Sequence, residues 1–364
     1  LPDSYPKAHF AASVFLSVYT TKAAVYLLAR AQPDTMLVAF MGGLMAVYGV
    51  TFAVFQTNMR RLLSYHIISQ VGYMVAGVGL FGWLASTNPE VADLGLDGGM
   101  AHLFNNLLYK TLLFMTIGVI IWRTGENTLN KLGGLQRKMP VTALAFWIAA
   151  FSISGVPLLN GYVSKGMVIT AAEETNVWLW ILLEIASFGT FLSFLTLGYF
   201  AFLRPGTTEA SDPPKTMQAA MLGTAALCVA IGVYPPLLMN ILPVSGLEYR
   251  PFELVRLLET LAVLGAAALF FFTIGRKVLE PHETRLKDAD VAYVATGNTI
   301  TAFASSMFAA FAAIYSAATS VTLSFFAAGK RAMRMEDRDV NWNLVAFGGA
   351  LVVVLGFLLM GVGG

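Results

Sequence analysis

Residues 98–122 read GGMAHLFNNLLYKTLLFMTIGVIIW, an apolar stretch that contains one lysine and no other formal charge. A helix needs roughly 20 mostly apolar residues to cross the hydrocarbon core of a bilayer. The stretch meets that requirement. A lysine near its middle raises the free energy of membrane insertion enough to indicate a functional role. Residues 98–122 therefore predict a membrane-spanning helix with a polar feature inside it.

The composition of the whole chain favours the same environment. Among 364 residues, 57% are hydrophobic and 12% are charged, and the mean hydropathy is +0.69. Soluble domains carry about twice that share of charge. The net charge of +2 is too small to indicate a nucleic-acid partner, and a single cysteine, Cys228, excludes a disulfide framework. We predict an all-α, polytopic transmembrane bundle with nine spans: 8–29, 37–56, 67–84, 98–122, 141–172, 177–203, 217–242, 254–274 and 343–362.

Lysine and arginine are unevenly distributed between the loops that join these spans. One set of alternate loops holds only Arg30 and Arg250. The N-terminal segment and the other loops hold thirteen: Lys7, Arg60, Arg61, Arg123, Lys131, Arg137, Lys138, Arg204, Lys215, Arg276, Lys277, Arg285 and Lys287. Positive charge accumulates on the cytoplasmic side of membrane proteins, so we expect the larger set there. The opposite loops are expected to carry Glu90, Asp93, Asp97, Glu173 and Glu174.

Several ionisable residues lie deep inside the predicted spans. A charge at that depth costs about 2.5–3.5 kcal/mol on insertion scales, so each is a candidate functional residue. Lys22 lies about 12 Å from Arg30 along its helix, too deep for a lysine that only reaches for the membrane surface. His102, Asn106 and Lys110 recur every four residues and therefore share one helix face. Such a line predicts a proton relay; the alternative is a polar stripe that binds helices together.

Lys165 follows a run of helix-breaking residues. Pro157 and the glycines Gly155 and Gly161 interrupt the middle of its predicted span. Broken helices at mid-membrane are typical of ion sites in transporters, and a cation is favoured beside the free carbonyls of a half-helix. We predict a break near 155–165 with Lys165 as an ion-transfer residue. The alternative is an ordinary proline kink with a lysine at the interface.

Two more ionisable residues are candidates with open roles. Glu184 lies a few residues inside the span 177–203, where it either pairs with a lysine or lies near the surface. His66 follows Arg60 and Arg61 at a predicted span entrance. That position favours a structural or funnel role for His66 over a ligand role.

Motifs of other chemistry are absent from the sequence. There is no phosphate loop, no cysteine pair for a metal and no nucleophile elbow. Two hypotheses remain: an ion-translocating membrane subunit, or a membrane redox subunit that itself binds haem or quinone. With four histidines, of which only His102 is deep in a span, haem ligation is the weaker hypothesis. We expect no cofactor and no metal.

Five motifs occur in a fixed order along the chain, and this order is more specific for a protein family than any single motif. They are LPDSYPKAH at 1–9, TKAAVY at 21–26, RRLLSYHIISQVGY at 60–73, HLFNNLLYKTLLF at 102–114 and SGVPLLNGYVSK at 154–165. Up to about residue 240, the chain thereby resembles the proton-pumping, antiporter-like subunits of respiratory complex I and of Mrp-type multisubunit Na⁺/H⁺ antiporters.

The resemblance implies a role for each buried cation. Lys22 and Lys110 would belong to a central hydrophilic axis, with His102 between them. Lys165 would be the terminal proton site. Protonation of one lysine would disfavour protonation of the next, because like charges repel. Proton transfer along this row, with Na⁺ exchange left open, would be coupled to other integral membrane subunits of a hetero-oligomeric complex.

The chain also departs from the family pattern. Asn106 stands where some relatives have a second histidine. Gly166 stands where complex I relatives often have Asp, which favours the Mrp type over the alternative, a membrane-arm subunit of NADH:quinone oxidoreductase or hydrogenase. The family's fifth-helix Glu and seventh-helix Lys would precede Leu1, so we expect an N-terminal part to be missing.

The resemblance also implies a division of the chain and a location. Residues 1–243 would be the C-terminal portion of an antiporter-like domain, and residues 244–364 an extension of it. The membrane would be a bacterial inner membrane.

Residues 292–328 are apolar enough to span but are rich in Ala, Ser and Thr. If they crossed, Lys330, Arg331, Arg334 and Arg338 would face outside, against the charge rule. We predict instead a helix about 55 Å long lying along the cytoplasmic side. The distal pump subunit of complex I, which the chain resembles, has such a lateral helix. The small residues would also suit tight packing between spans, which is the alternative.

Overall fold

The computed structural model describes residues 1–31, 35–244, 249–281, 290–332 and 348–349. Within these ranges the chain is helical and contains no β-strand, apart from an isolated bridge between Asn58 and Thr128. It divides into two compact units, Leu1–Leu286 and Lys287–Gly364. This division by packing does not test the predicted boundary after residue 243, which stays a prediction.

The first unit contains all but one of the described α-helices. In chain order they are α1 (Phe10–Ala31), α2 (Met36–Val54), α3 (Met59–Leu84), α4 (Pro89–Thr124), α5 (Leu135–Lys138), α6 (Pro140–Ser154), α7 (Asn160–Thr175), α8 (Val177–Gly198), α9 (Lys215–Val233), α10 (Pro236–Met239), α11 (Leu254–Phe270), α12 (Arg276–Val278) and, in the second unit, α13 (Asp290–Ala332). Helices α8 and α11 each continue into a π-helical turn. Eight described helices are long and apolar enough to cross a membrane. The prediction of a polytopic helical bundle is confirmed.

Helix α3 begins earlier than the hydropathy pattern predicted. It starts at Met59 rather than at 67, because the side chain of Asn58 caps it. Asn58 Oδ1 accepts hydrogen bonds from the main-chain N–H groups of Arg60 and Arg61, at 3.1 and 3.0 Å. The placement of His66 at a span entrance is therefore wrong: it lies two turns inside α3 and has no exposed surface.

Helix α4 also begins early, at Pro89 rather than at 98. The side chain of Asn88 caps its first turn, and a proline is well tolerated at the first helical position because its missing N–H has no helical partner. Glu90, Asp93 and Asp97 therefore lie inside α4, not in a loop as predicted. A carboxylate in the first turn is stabilised by the partial positive charge of the helix N-terminus.

Small residues allow α2 and α3 to approach closely. A Cβ atom added to Gly42 would clash with the main-chain N of Ala76. One added to Gly72 would lie 2.5 Å from the main-chain N of Ala46. Close backbone contact of this kind is how helices associate in lipid, where apolar burial alone gives little driving force.

The predicted break in the span 141–172 is present, between α6 and α7. Gly155 ends α6 in the left-handed conformation, with φ of 81°, and its N–H bonds back to the last turn. Leu158 also has a positive φ, of 70°, which is unusual for a side chain of this kind. The chain therefore leaves helical geometry for a few residues before α7 starts at Asn160.

The second unit contains one long described helix. The predicted helix 292–328 is part of α13, whose described side chains are exposed apart from a partly buried Ala304. The stretch Tyr293–Ala327 is also long and apolar enough to cross a membrane, so a lateral arrangement stays a prediction. The predicted span 343–362 lies outside the described residues, except for 348–349.

Candidate functional site

Helix α4 carries a line of buried polar residues through the middle of the first unit. It packs against α1, α3, α6, α7 and α9. Its His102, Asn106, Tyr109 and Lys110 have no exposed surface. The face predicted from the four-residue spacing therefore points into protein, where unpaired polar groups are costly and need partners.

His102 joins three helices through its two ring nitrogens. Nδ1 lies 3.1 Å from Oγ of Ser164 on α7. Nε2 lies 3.1 Å from Oε1 of Gln70 on α3 and 3.3 Å from the hydroxyl of Tyr109 on α4. The same hydroxyl accepts a hydrogen bond from Nδ2 of Asn106 at 3.1 Å. Imidazole and hydroxyl groups both donate and accept, so the arrangement is chemically able to pass a proton in either direction.

Lys110 and Lys22 are each held by a main-chain carbonyl. Nζ of Lys110 donates to the oxygen of Leu63 on α3 at 2.9 Å. Lys22 is 5% exposed and donates to the oxygen of Ser17, on its own helix, at 2.7 Å. Among the ion pairs of the described residues, none involves either lysine. A buried ammonium without a carboxylate partner is poorly compensated, which suits a group that changes its protonation state.

Lys165 lies against the end of the broken helix, as the sequence predicted. Its Nζ donates to the main-chain oxygen of Ile153, in the last turn of α6, at 3.2 Å. The last carbonyls of a helix have no partner within the helix and carry its partial negative charge. Nζ also lies 5.0 Å from the ring centre of Tyr73, a cation–π contact. The side chain is 3% exposed.

Glu184 shares a cavity with Lys165. The cavity has a volume of about 30 Å³ and lies between α7, α8 and α11. Glu184 is close enough to Lys165 to interact with it electrostatically, but no ion pair between them is among those of the described residues. The two roles that the sequence left open for Glu184, pairing with a lysine or a position near the surface, both stay predictions.

The same cavity contains polar residues that the sequence analysis missed. Arg256 and Glu259 from α11, and Tyr249 from the segment before it, line its wall. Glu259 lies inside the predicted span 254–274, so the depth rule applied to Lys22 would have found it, whereas Arg256 lies at the end of that span. Tyr249 carried no such signal. Burial raises the pKa of the Tyr249 phenol further above its ordinary value.

His66 lies in the packed interior between α3 and α8. Its Nε2 contacts Oγ of Ser193, and its ring centre lies 4.6 Å from that of Phe194. This buried environment is consistent with a structural role, one of the two roles, structural or funnel, that the sequence favoured over a ligand role. Nδ1 of His66 has no hydrogen-bond partner among the described residues.

Other buried polar atoms near the row also lack protein partners in the described part of the chain. They are Oγ of Ser69, Nε2 of Gln70, Oδ1 of Asn105 and Oδ1 of Asn106. These atoms belong to α3 and α4, the helices that also carry Gln70, His102 and Lys110. No group of three His, Cys, Asp or Glu side chains placed to hold a metal occurs among the described residues.

Comparison with known families places this site in context. The family model described as NADH:quinone oxidoreductase/Mrp antiporter, transmembrane, matches residues 1–193, more than half of the chain. The chain belongs to this family. The antiporter-family match includes α1 to α7 and most of α8, and with them Lys22, His102, Lys110, Lys165 and Glu184. The segment before α11, and α11 itself, lie beyond it.

Curated relatives of this antiporter family have different names. An uncharacterized protein of Methanocaldococcus jannaschii, MJ1309, is 35% identical over 58% of this chain and 43% of its own length. Hydrogenase-4 component B of Escherichia coli is 30% identical over 64% of this chain and 39% of its own. A Na⁺/H⁺ antiporter subunit of Alkalihalophilus pseudofirmus is 34% identical over 47% of this chain and 35% of its own length. The chain spans well under half the length of these relatives.

Solved structures share the fold. A chain of the Mrp complex from Dietzia sp. superposes with a TM-score of 0.59 and 23% identity, over 77% of this chain and 57% of the other. A chain of respiratory complex I from Thermus thermophilus superposes with a TM-score of 0.55 and 27% identity, over 66% of this chain and 53% of the other. The membrane fold predicted from the sequence and the family resemblance are both confirmed.

Proposed function

We propose that this chain is a cation/proton-translocating subunit of a multisubunit Na⁺/H⁺ antiporter or a related membrane complex. One observation carries the proposal: His102 bridges Ser164, the neighbour of Lys165, and Tyr109, the neighbour of Lys110. His102 thus links the helical turns that carry the two lysines, and water would complete the path from its partners to the ammonium groups. The row Lys22, His102, Lys110, Lys165 is the proposed relay.

The mechanism follows from burial and like-charge repulsion. Each lysine is held by a main-chain oxygen, which favours a protonated ammonium only weakly. When one lysine takes up a proton, its charge disfavours a second proton on its neighbour, so charge moves stepwise along the row. The unpartnered polar atoms of Ser69, Gln70 and Asn105 are natural partners for internal water, which would extend the row between side chains.

The parent complex is proposed to be of the Mrp type. Gly166 after Lys165 supports that choice, and the likeness to the Na⁺/H⁺ antiporter subunit of Alkalihalophilus pseudofirmus agrees with it. The alternative is a membrane-arm subunit of a NADH:quinone oxidoreductase or hydrogenase, which the likeness to hydrogenase-4 component B supports. In either case we propose other integral membrane subunits as partners, protons with or without Na⁺ as the ions, and a bacterial inner membrane as the location.

A haem- or quinone-binding redox subunit is the less favoured candidate. Both ring nitrogens of His102 are hydrogen-bonded to protein side chains, an arrangement that suits proton relay better than iron ligation. A visible absorption spectrum of the purified chain separates the candidates. A haem Soret band, or quinone extracted in stoichiometric amount, would favour the redox subunit.

The proposal is tested by Lys110→Ala and Lys165→Ala in the complete parent complex. Both lysines are fully buried or nearly so, and removing either interrupts the row. We expect proton flux into sealed vesicles to be lost in both variants while the complex still assembles. Lys215→Ala is the matched control, because Lys215 is exposed at the start of α9. Near-normal flux in both buried-lysine variants would refute the relay.

A further inference from the structure

Two cavities lie on either side of Tyr249 and Arg256. The inner cavity, of about 30 Å³, is the one that contains Lys165, Glu184 and Glu259. The outer cavity, of about 280 Å³, is lined by Glu90, Glu174, Glu253 and Arg250. Three residues line both: Thr170, Tyr249 and Arg256. A single layer of side chains therefore separates Lys165 from a second, more open space.

The outer cavity lies at the end of the bundle away from the basic loops. Glu90 is in the first turn of α4, whereas Arg123 is in its last turn. At 1.5 Å per residue these two positions are about 50 Å apart along the helix. By the charge rule, the outer cavity then opens on the non-cytoplasmic side.

The dividing layer is positioned by contacts with α7. A Cβ atom added to Gly166 would lie 2.5 Å from the Tyr249 hydroxyl, so that hydroxyl rests against the α7 backbone next to Lys165. Arg256 Nη1 is paired with Glu173 Oε2 at 2.5 Å. The hydroxyl of Tyr162 donates to the main-chain oxygen of Pro251 at 2.6 Å, which holds the segment that carries Tyr249.

The charges of the outer cavity favour a cation. It is lined by three carboxylates and two arginines, Arg250 and Arg256, whereas Glu184 and Glu259 in the inner cavity are matched by Lys165 and Arg256. A cleft with an excess of one sign of charge concentrates ions of the other sign. Arg256 stands between the two groups of carboxylates and opposes a cation there, but its ion pair with Glu173 partly neutralises it. Breaking or forming the ion pair between Arg256 and Glu173 would change the electrostatic barrier that a cation meets at Arg256.

We propose that Tyr249 and Arg256 form a gate through which a monovalent cation, H⁺ or Na⁺, passes between the outer cavity and Lys165. The proposal rests on the proposed role of Lys165 as the terminal transfer site, and adds to it a route to the non-cytoplasmic face. Both gate residues lie outside the matched residues 1–193, so the family match assigns them no role. Tyr249 comes from the segment before α11, and Arg256 comes from α11 itself.

Accessibility of the inner cavity tests the gate without any transport measurement. Ser187 lines that cavity and is 7% exposed, and the native Cys228 is buried. In the complete complex, S187C is introduced into a Cys228→Ser background. An impermeant trimethylammonium methanethiosulfonate is then added to one side of sealed vesicles. We expect slow labelling from the non-cytoplasmic side, several-fold faster labelling when Tyr249→Ala is added, and little from the other side.

Charge selectivity and a second variant sharpen the test. The cationic reagent should label faster than its sulfonate counterpart if the excess carboxylate of the outer cavity concentrates cations. Gly166→Ala pushes on the Tyr249 hydroxyl and should also speed labelling, whereas Gly265→Ala should not, because no atom lies within 4 Å of a Cβ at that position. Protection of S187C by excess Na⁺ at constant pH would identify Na⁺ as the ion, and labelling that Na⁺ leaves unchanged would assign H⁺.

The outcomes separate the gate from the proposed function. If neither Tyr249→Ala nor Gly166→Ala changes the labelling rate, or if labelling comes only from the basic-loop side, the gate is refuted and the relay is untouched. If Lys110→Ala and Lys165→Ala transport normally while the labelling contrast is present, the relay is refuted and the cavity gate stands as an ion-accessible site.

Discussion

Nζ of Lys165 donates to the main-chain oxygen of Ile153 at 3.2 Å, across the break that separates α7 from α6. The side chain of one half-helix thus supplies a hydrogen bond that the end of the other half-helix lacks. This relationship couples the charge of Lys165 to the geometry of the break. A change in that charge is therefore felt first by the irregular segment around Gly155, which also faces the cavity containing Glu184.

We predict that His102→Ala interrupts proton transfer more severely than Ser164→Ala. The alanine at 102 removes the contacts to Gln70, Tyr109 and Ser164 together. Loss of a proton-transfer group typically costs about 10²-fold or more in rate. Ser164→Ala removes one hydrogen bond of about 1 kcal/mol and should slow flux several-fold. Proton flux in vesicles is the measurement, and equal, near-normal rates in both variants would contradict it.

The matched control for this pair is Ser306→Ala. Ser306 is exposed on α13 and donates to a main-chain oxygen of its own helix. It shares the chemistry of Ser164 without the contact to a histidine. Flux should be unchanged in this variant, and a loss as large as that of Ser164→Ala would show that the assay reports general damage.

We predict that Gly72→Ala destabilises the bundle. A Cβ atom there would lie 2.5 Å from the main-chain N of Ala46, and backbone cannot yield as a flexible side chain can. Overpacking of this kind costs about 1–3 kcal/mol. The midpoint of thermal unfolding of the detergent-solubilised complex should fall. Gly223→Ala should leave it unchanged or raise it slightly, since no atom lies near that position and Ala favours the helix.

We predict that the chain does not catalyse Na⁺/H⁺ exchange by itself. It spans well under half the length of the relatives it matches, and the solved structures that share its fold are multisubunit complexes. Purified chain reconstituted into vesicles should give no Na⁺-dependent change of internal pH above that of empty vesicles. The whole complex in the same vesicles is the positive control, and robust exchange by the single chain would overturn the prediction.

We predict that a cysteine at position 330 is labelled from the cytoplasmic side. The prediction follows from the cluster of positive charge after 292–328 and from the charge rule. The test uses an impermeant thiol reagent on K330C in a Cys228→Ser background, with right-side-out and inverted vesicles compared. Labelling only from the non-cytoplasmic side would mean that α13 crosses the membrane.

The sequence was sufficient wherever the deciding physics is local. Seven of the nine predicted spans correspond to long apolar helices, because the thickness of the bilayer sets the length required, and the break around Gly155 and Pro157 follows from backbone geometry. The burial of Lys22, Lys110 and Lys165 followed from their depth in those segments, and the structure places all three inside. The starts of α3 and α4 were misplaced, because capping by Asn58 and Asn88 extends a helix beyond its apolar core.

Only the tertiary structure decided which groups meet. His102 was recognised from its spacing with Lys110, but its partners Gln70 and Ser164 come from other helices, and no local pattern connects them. The same holds for the cavity in which Glu184 meets Glu259 and Arg256, since α8 and α11 are separated by more than fifty residues of chain. Helix formation depends on neighbours in sequence, whereas a relay and its gate depend on how the finished helices pack.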